Sequence, residues 1–475
     1  MKNQLKKLNK MKKIRIHKTL LWLIAPLLLS SCFSAKEYKR PEVVNEAYYR
    51  TDNIQQDNIN MAEVSWREMF TDPLLQSYIE EGLTNNIDIR IAVQQILAAE
   101  AYVRQGKAGY LPTLSGIAQY THQELSSNSQ FGNQFSLLNQ YQISGNLSWE
   151  ADIWGKIRST DRAFRASYLQ SVAAHKAVKT QLIAEIASAY YQLLALDQQI
   201  KTTEKTVINR NNSLETIGYL KDAGIVTAVD VKQTEAQYYT AQVILVDLKN
   251  QTHLLENSLS ILLGKSPIEI VRNNLDEQLI TTELHLGVPA QLLRNRPDVL
   301  ASEYNLVNAF ELTNVARSNF YPALTLTANG GLQSLDIDKL FSPSSLFLSL
   351  IGDLTQPILN GRRIRTQFEV AQAEQEQARL DFKNSILIAS REVSDALYNY
   401  EASTKKIKIR ENEYNAYKTA AGYSEELLNN GLANYLEVLT TRENSLNSKL
   451  NLINAKYSQL QAVVDLYQAL GGGWQ

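Results

Sequence analysis

The strongest pattern along the chain is helical. From Ile157 to Ile217 there is no proline and no glycine, and Phe164, Tyr168 and Val172, then Leu182, Ile186, Tyr190 and Leu193, recur at spacings of three and four. These sixty-one residues predict a rod of ~90 Å. Arg362 to Asn430 contains only Gly422 as a helix-weakening residue and predicts a second rod of similar length. Alanine, serine, threonine and glutamine fill much of the remaining surface, which suits an open wall with a wet side; the same pattern also fits an ordinary long coiled coil. Shorter helical patterns cover about 72–108 and 290–319, each ending just before a Tyr/Pro pair. Between the helices the period changes to two. Tyr141, Ile143, Gly145, Leu147 and Trp149 alternate with Gln142, Ser144, Asn146 and Ser148, and Leu324, Leu326 and Ala328 alternate with Thr325, Thr327 and Asn329. Leu346, Leu348, Leu350 and Leu354 share one face before Pro357, and Leu114, Ala118 and Tyr120 share one after Pro112. Strands of this kind fit a membrane barrel wall or a half-buried soluble sheet.

The pattern occurs twice. Tyr110-Leu111-Pro112-Thr113-Leu114 corresponds to Tyr321-Pro322-Ala323-Leu324, and Trp154-Gly155-Lys156-Ile157-Arg158 to Asn360-Gly361-Arg362-Arg363-Ile364-Arg365. Asp222-Ala223-Gly224 followed by Asp230 corresponds to Asn429-Asn430-Gly431 followed by Glu437, and Leu263-Gly264 to Leu470-Gly471. Four landmarks in one order, at an offset near 207, mark one supersecondary unit used twice. Pro112, Pro322 and Pro357 suit helix–strand joints, because proline cannot continue a helix and restricts the residue before it. Gly155 and Gly361 fall where strand returns to helix and can supply positive φ, and Gly224 and Gly431 break the long helices.

Composition changes the picture at one end. The chain has 48 basic and 49 acidic residues, but residues 1–31 hold eight Lys/Arg and no acid. The remainder is about nine charges negative and shows no basic surplus for nucleic acid. Lys2 to Lys18 followed by the ten apolar residues Leu20–Leu29 reads as a secretion signal, since ten residues make ~15 Å of helix, half a bilayer core. Leu29-Ser30-Ser31-Cys32 then resembles a lipobox, which implies cleavage before Cys32, a diacylglycerol thioether on its sulfur and an acyl chain on its new amine. Cys32 is the chain's only cysteine, so no intrachain disulfide is possible. No later run of eighteen apolar residues exists, so a membrane crossing requires a closed β-barrel. Four strands per chain are too few, because the smallest membrane barrels need about eight. Two copies would supply eight strands and three would supply twelve.

Catalytic patterns are missing from the sequence, and we expect no enzyme. The five histidines (17, 122, 175, 253, 285) are scattered, without H-E-x-x-H spacing, and no G-x-S-x-G or phosphate-loop pattern occurs. The four methionines form no Cu(I)-binding cluster, so no metal or cofactor beyond the lipid is expected.

Ordered motifs then identify a relationship. Tyr38-Lys39-Arg40-Pro41, the segment Trp66, Phe70 and Asp72-Pro73-Leu74, the run Asn86 to Arg90 with Ala92, and Asp152-Ile153-Trp154-Gly155-Lys156-Ile157-Arg158 occur in sequence. Arg296-Pro297-Asp298-Val299, Phe320-Tyr321-Pro322 and Gly431 with Tyr435-Leu436-Glu437-Val438-Leu439 follow. Over nearly all of the mature chain, this order resembles the TolC-like outer-membrane efflux proteins, in the lipoprotein branch serving resistance-nodulation-division pumps. The resemblance implies a mostly α fold with a membrane β-barrel: a homotrimer with four strands per chain, a twelve-stranded barrel in the outer membrane and a long periplasmic α-helical barrel. It implies a signal peptide over 1–31, an anchor and equatorial segment over 32–71, a first repeat over 72–264, an equatorial linker over 265–288, and a second repeat with tail over 289–475. Loops near Ser126–Gln134 and Leu335–Ser345 would face outside. The partners implied are outer-membrane lipid, a periplasmic membrane-fusion adaptor and an inner-membrane pump, with the duct itself passive. Type I secretion ducts share the architecture, although Cys32 and Tyr38–Pro41 argue against that use; a pore-less coiled-coil scaffold would lack the strands and the doubling.

Asp230 and Glu437 are repeat equivalents just past Gly224 and Gly431, and threefold symmetry would set them in two carboxylate rings at the periplasmic aperture, favouring cations. They could equally be solvated residues on the tunnel exterior. Thr440 and Ala433 stand where some relatives carry a second acid and an arginine, which argues against an aperture locked by an Arg–Asp network.

Overall fold

The computed structural model describes residues 35–41, 64–128, 137–278 and 295–474. Cys32, part of the Ser126–Gln134 loop and residues 279–288 of the linker lie outside the described residues. The elements are α1 (Trp66–Met69), α2 (Pro73–Asn85), α3 (Ile87–Ala108), β1 (Thr113–Glu124), β2 (Leu137–Ala151), α4 (Lys156–Asp222), α5 (Ala228–Leu262), α6 (Pro297–Ser318), β3 (Ala323–Ser334), β4 (Leu346–Thr355), α7 (Arg363–Asn429) and α8 (Tyr435–Ala469). Among the described residues no helix is long and apolar enough to cross a membrane.

The doubling holds to the residue. α4 and α7 each span 67 residues, α5 and α8 each span 35, and both pairs start 207 apart. α3 and α6 each span 22 residues and start 210 apart. Two boundaries differ from the sequence expectation. The helix expected over 72–108 is broken at Asn86, whose N–H closes α2 on Gly82 O while its Oδ1 accepts the N–H groups of Asp88 and Ile89 and so caps α3. The helix expected over 290–319 is interrupted at Arg296, between helical Asn295 and Pro297, where α6 starts on a residue suited to a first turn because its missing N–H has no partner there anyway; residues 290–294 lie outside the described residues.

Contacts divide the chain into two compact units, and each repeat contributes to both. The first contains the sheet. Its order is β1-β2-β3-β4, all antiparallel. The register puts Gln119, Gln142 and Gln333 in one row and Ser115, Asn146, Asn329 and Ser349 in another, so amides and hydroxyls line one face. The opposite face carries Leu114, Tyr120, Ile143, Leu326, Leu348, Leu350 and Leu354, all exposed. Among the described residues, nothing pairs with the outer edges of β1 and β4. Below the sheet, Tyr102 packs on Phe164 at 5.5 Å, and Asn308 donates to Ala163 O at 2.9 Å. Residues 35–41 form a strap on α6: Lys36 and Asn314 exchange hydrogen bonds of 3.1 and 3.0 Å, Tyr38 meets Phe310 edge-on, and Arg40 pairs with Glu303 at 2.7 Å.

The second unit has the main apolar core, built from Trp66, Phe70, Leu75, Ile79, Ile183, Ile186, Tyr190, Leu193, Leu259, Val464 and Leu466. Asp72 ties it together. Its carboxylate caps α2 through Leu74 N–H and accepts from Tyr190 Oη at 2.8 Å, Asn273 Nδ2 at 3.0 Å and Gln278 Nε2 at 2.8 Å. Burial pushes its pKa up, but these donors outweigh it and hold the carboxyl below its usual range.

Repeat equivalence explains one strained residue. By the 207 offset of the long helices, Gly155 (φ 75°) corresponds to Arg362 (φ 67°), not to Gly361 as the motif suggests. The second repeat thus places an arginine in the left-handed conformation that the first gives to glycine. Gly264 and Gly471 are equivalents too: a Cβ on either would lie 2.6 Å from a backbone oxygen, of Asn85 or of Asn295. Gly264→Ala should therefore destabilise by about 2 kcal/mol or more, while Gly422→Ala, inside α7 with open space around it, should stabilise by about 0.5–1 kcal/mol. Thermal unfolding midpoints in detergent should shift in opposite directions; equal effects would contradict the assignment.

Candidate functional site

The candidate site is the pair of hairpin tips in the second unit. α4 ends in a left-handed Gly224 (φ 72°) with Ile225 N–H bonded back to Leu220 O, and α7 ends the same way at Gly431 (φ 70°) with Leu432 N–H on Leu427 O. Only two residues then separate each turn from the next helix cap, Thr227 for α5 and Asn434 for α8. Repeat-equivalent apolar residues stand exposed on both tips: Ile225 and Leu432 at 69% and 75%, Val229 and Leu436 at 62% and 53%. Behind them Ile217, Tyr435, Val438 and Leu439 form a small buried cluster that joins the hairpins.

The two acids named from the sequence occupy equivalent positions but do different things. Asp230 closes a capping box: its Oδ2 accepts both the N–H and the hydroxyl of Thr227 at 2.7 Å. The Thr227 hydroxyl and N–H bonds hold its pKa below the usual carboxylate range. Glu437 is exposed, its N–H is held by Asn434 Oδ1 at 3.0 Å, and no ion pair engages its carboxylate among the described contacts.

Farther along the helices lies a polar tier that the sequence reading missed. Buried Arg210 bonds Glu443 and Gln237 O at 2.5 Å, and Arg442 bonds Glu425 at 2.7 Å and Ser213 at 2.6 Å. A groove of about 840 Å³ beside it is lined by Lys205, Lys418 and Lys449 as well as Glu425 and Arg442. None of the four charged partners is repeated: their equivalents are Tyr417, Gly218, Glu235 and Ala236. A search for doubled landmarks passes over them for that reason. No aperture network involves Ala433, but arginine–carboxylate ties do exist one to two turns past Glu437: Arg210, about four turns before Gly224, joins the two hairpins through Glu443, and Arg442–Glu425 lies within the second hairpin.

The remaining named residues lie in the first unit. Pro112 and Pro322 precede β1 and β3 by one residue. Trp154 beside Gly155 donates to Pro322 O at 2.7 Å and stacks on Tyr321 at 4.7 Å, and Gly361 (φ 60°) precedes Arg362 in the turn after β4. Among the described residues no group of three or more His, Cys, Asp or Glu could hold a metal.

A sheet apolar on one face and polar on the other, joined to paired long helices, has the build of a barrel-wall segment. A family profile described as "Outer membrane efflux protein" matches residues 78–265 and 288–472, and the chain belongs to that family. The solvent efflux pump outer membrane protein SrpC of Pseudomonas putida is 29% identical over 458 residues, covering 95% of this chain and 97% of that one. The outer membrane protein OprJ of Pseudomonas aeruginosa is 27% identical, covering 95% of each. Among solved structures, a membrane protein from Pseudomonas aeruginosa superposes with a TM-score of 0.83 at 26% identity, over 92% of this chain and 99% of that one. The open-state MtrE outer membrane channel of Neisseria gonorrhoeae gives 0.81 at 24% identity, over 93% and 98%, a likeness of fold. The chain is an outer-membrane efflux channel protein.

The capping chemistry predicts a pH difference between the tips. Asp230 has a folded pKa below its unfolded value of about 3.9, so its stabilisation is present above that value and lost as pH falls through the folded one. Amide exchange, corrected for intrinsic rates, should show the first turn of α5 losing protection between pH 6 and pH 3, while the Asn434-capped first turn of α8 changes less. Equal loss at both would contradict the capping role.

Proposed function

We propose that three copies close their sheets into a twelve-stranded outer-membrane barrel, continued by the long helices as a passive periplasmic exit duct of a tripartite efflux system. The observation that carries this reading is the four-stranded sheet: two-faced, with both edges open and too few strands to close alone. A periplasmic adaptor docks on the exposed Ile225, Val229, Leu432 and Leu436 tips and links the duct to an inner-membrane resistance-nodulation-division pump, which supplies the energy. Cys32 carries the lipid. The strap supports this: Ala35 lies against Gly155 at the strand–helix joint, where a Cβ on the glycine would come within 3.3 Å of Ala35 Cβ. The strands and not the acyl chains are the main hold on the membrane. Unheated protein should migrate as a detergent-resistant trimer on gels, and Cys32→Ala with a cleavable signal should still insert and trimerise. Soluble monomer from that variant would make the lipid the anchor.

Glu437 forms the aperture ring on this reading, because Asp230 is turned into its own helix cap. Glu437→Ala trimers in planar bilayers should lose part of their cation selectivity, and Asp230→Ala should change it less. Unchanged selectivity in Glu437→Ala would remove Glu437 from the pore.

A further inference from the structure

The groove beside the arginine–carboxylate ties has two unlike ends. It is lined by α4 of the first hairpin and by α7 and α8 of the second. Its volume of about 840 Å³ falls within the range of small-molecule sites, ~300–1,000 Å³. Within ~8 Å of the tip ends of these helices the lining is apolar: Ile217, Leu220, Leu428 and Val438. Lys205, Lys418 and Lys449 line the far end, ~16–26 Å from the same helix ends. Between the two ends, Gly422 hollows the α7 side, and a Cβ built on it meets nothing within 4 Å.

The positive charge at the far end is unspent. Among the described residues none of the three lysines forms an ion pair; Lys449 rests on the Tyr414 ring at 4.7 Å. Burial, then the charges of Lys456 and Lys418, outweigh Asp276 and Glu411 and hold the Lys449 pKa below the usual lysine range, so an anion placed there relieves a repulsion already present. Glu425, the one acid in the lining, is taken by Arg442 at 2.7 Å. At the apolar end, Tyr435 is 6% exposed and its hydroxyl is buried without a hydrogen-bond partner, a donor that an acceptor on a ligand's tail would satisfy.

The shared scaffold does not require this chemistry. Under the 207 offset Lys205, Lys418 and Lys449 correspond to Asn412, Asn211 and Gln242, so each lysine stands where the other half carries an amide. Gly422 corresponds to Glu215 and Tyr435 to Ala228. A glycine inside a long helix costs about 1 kcal/mol, which the first half avoids at this position. We propose that the groove binds an amphipathic organic anion, its carboxylate among Lys205, Lys418 and Lys449 and its apolar chain running toward Ile217 and Val438. A ligand so placed touches both hairpins and braces one against the other.

Photolabelling tests the site. The full chain in lipid nanodiscs, free of detergent, is irradiated with a diazirine-bearing dodecanoate below saturation, and the labelled peptides are mapped by mass spectrometry. Label should concentrate on the lining segments of α4, α7 and α8 and be displaced by excess dodecanoate. The Lys205→Gln/Lys418→Gln/Lys449→Gln variant should take up at least roughly fivefold less there, since three charge contacts are removed together. Gly422→Leu, which fills the groove from α7 and keeps the lysines, should lose a similar amount, while label on the leucine face of the sheet stays constant in both variants. The same probe with an alcohol in place of the acid should also label the groove at least roughly fivefold less. Equal groove labelling by acid and alcohol, or labelling untouched in the triple variant, would overturn the anion site. A groove labelled no more than the surrounding helix surface would overturn ligand binding there altogether.

Discussion

An unpaired strand edge cannot remain inside a bilayer, and the rest of this architecture follows from that constraint. Each free N–H and C=O in hydrocarbon costs several kcal/mol, so a sheet there must close on itself. The described residues of this chain bring four strands, with β1 and β4 at the open edges. Closure is therefore a property of the assembly, and a chain of this kind holds its functional form only with its copies. The strand pattern reflects the same solvent: leucines on one face for lipid, amides and hydroxyls on the other for a wet bore.

Duplication solves the geometry economically. One helix–strand–strand–helix–helix unit, used twice per chain, gives the two halves of the wall the same strand pairing and the same helix lengths. The two halves are nevertheless not interchangeable. Asp230 is spent on its own capping box while Glu437 stays exposed, and the Arg210–Glu443 and Arg442–Glu425 ties have no counterparts under the repeat. The hairpin tips are thus alike in backbone and different in chemistry, which lets one be held while the other carries exposed charge.

Much of this was legible in the sequence. The long helices, the strands and the doubling rest on period and offset, which survive without knowledge of contacts. The break at Asn86 was hidden, because an asparagine inside a helical pattern gives no sign that its side chain will serve as a cap. Arg362 was misaligned with Lys156, because the glycine motif pulls Gly361 onto Gly155 whereas the helix offset puts Arg362 there. The interhelical arginines were missed because each partner lies on a different helix, 17 or 233 residues away, where no local pattern reports the contact. The functional difference between Asp230 and Glu437 depended on the residue three before each, threonine or asparagine, and became readable only with the cap geometry.

Closure of the strand edges is read out by backbone amide exchange. In the assembled protein in lipid, the amides of Ser349–Thr355 and Ile117–Gln123 should be as protected as those of the internal β2–β3 ladder. Fast exchange confined to these two edges, with β2 and β3 still protected, would show the sheet to be open and the account of the chain as one third of a closed barrel to be wrong.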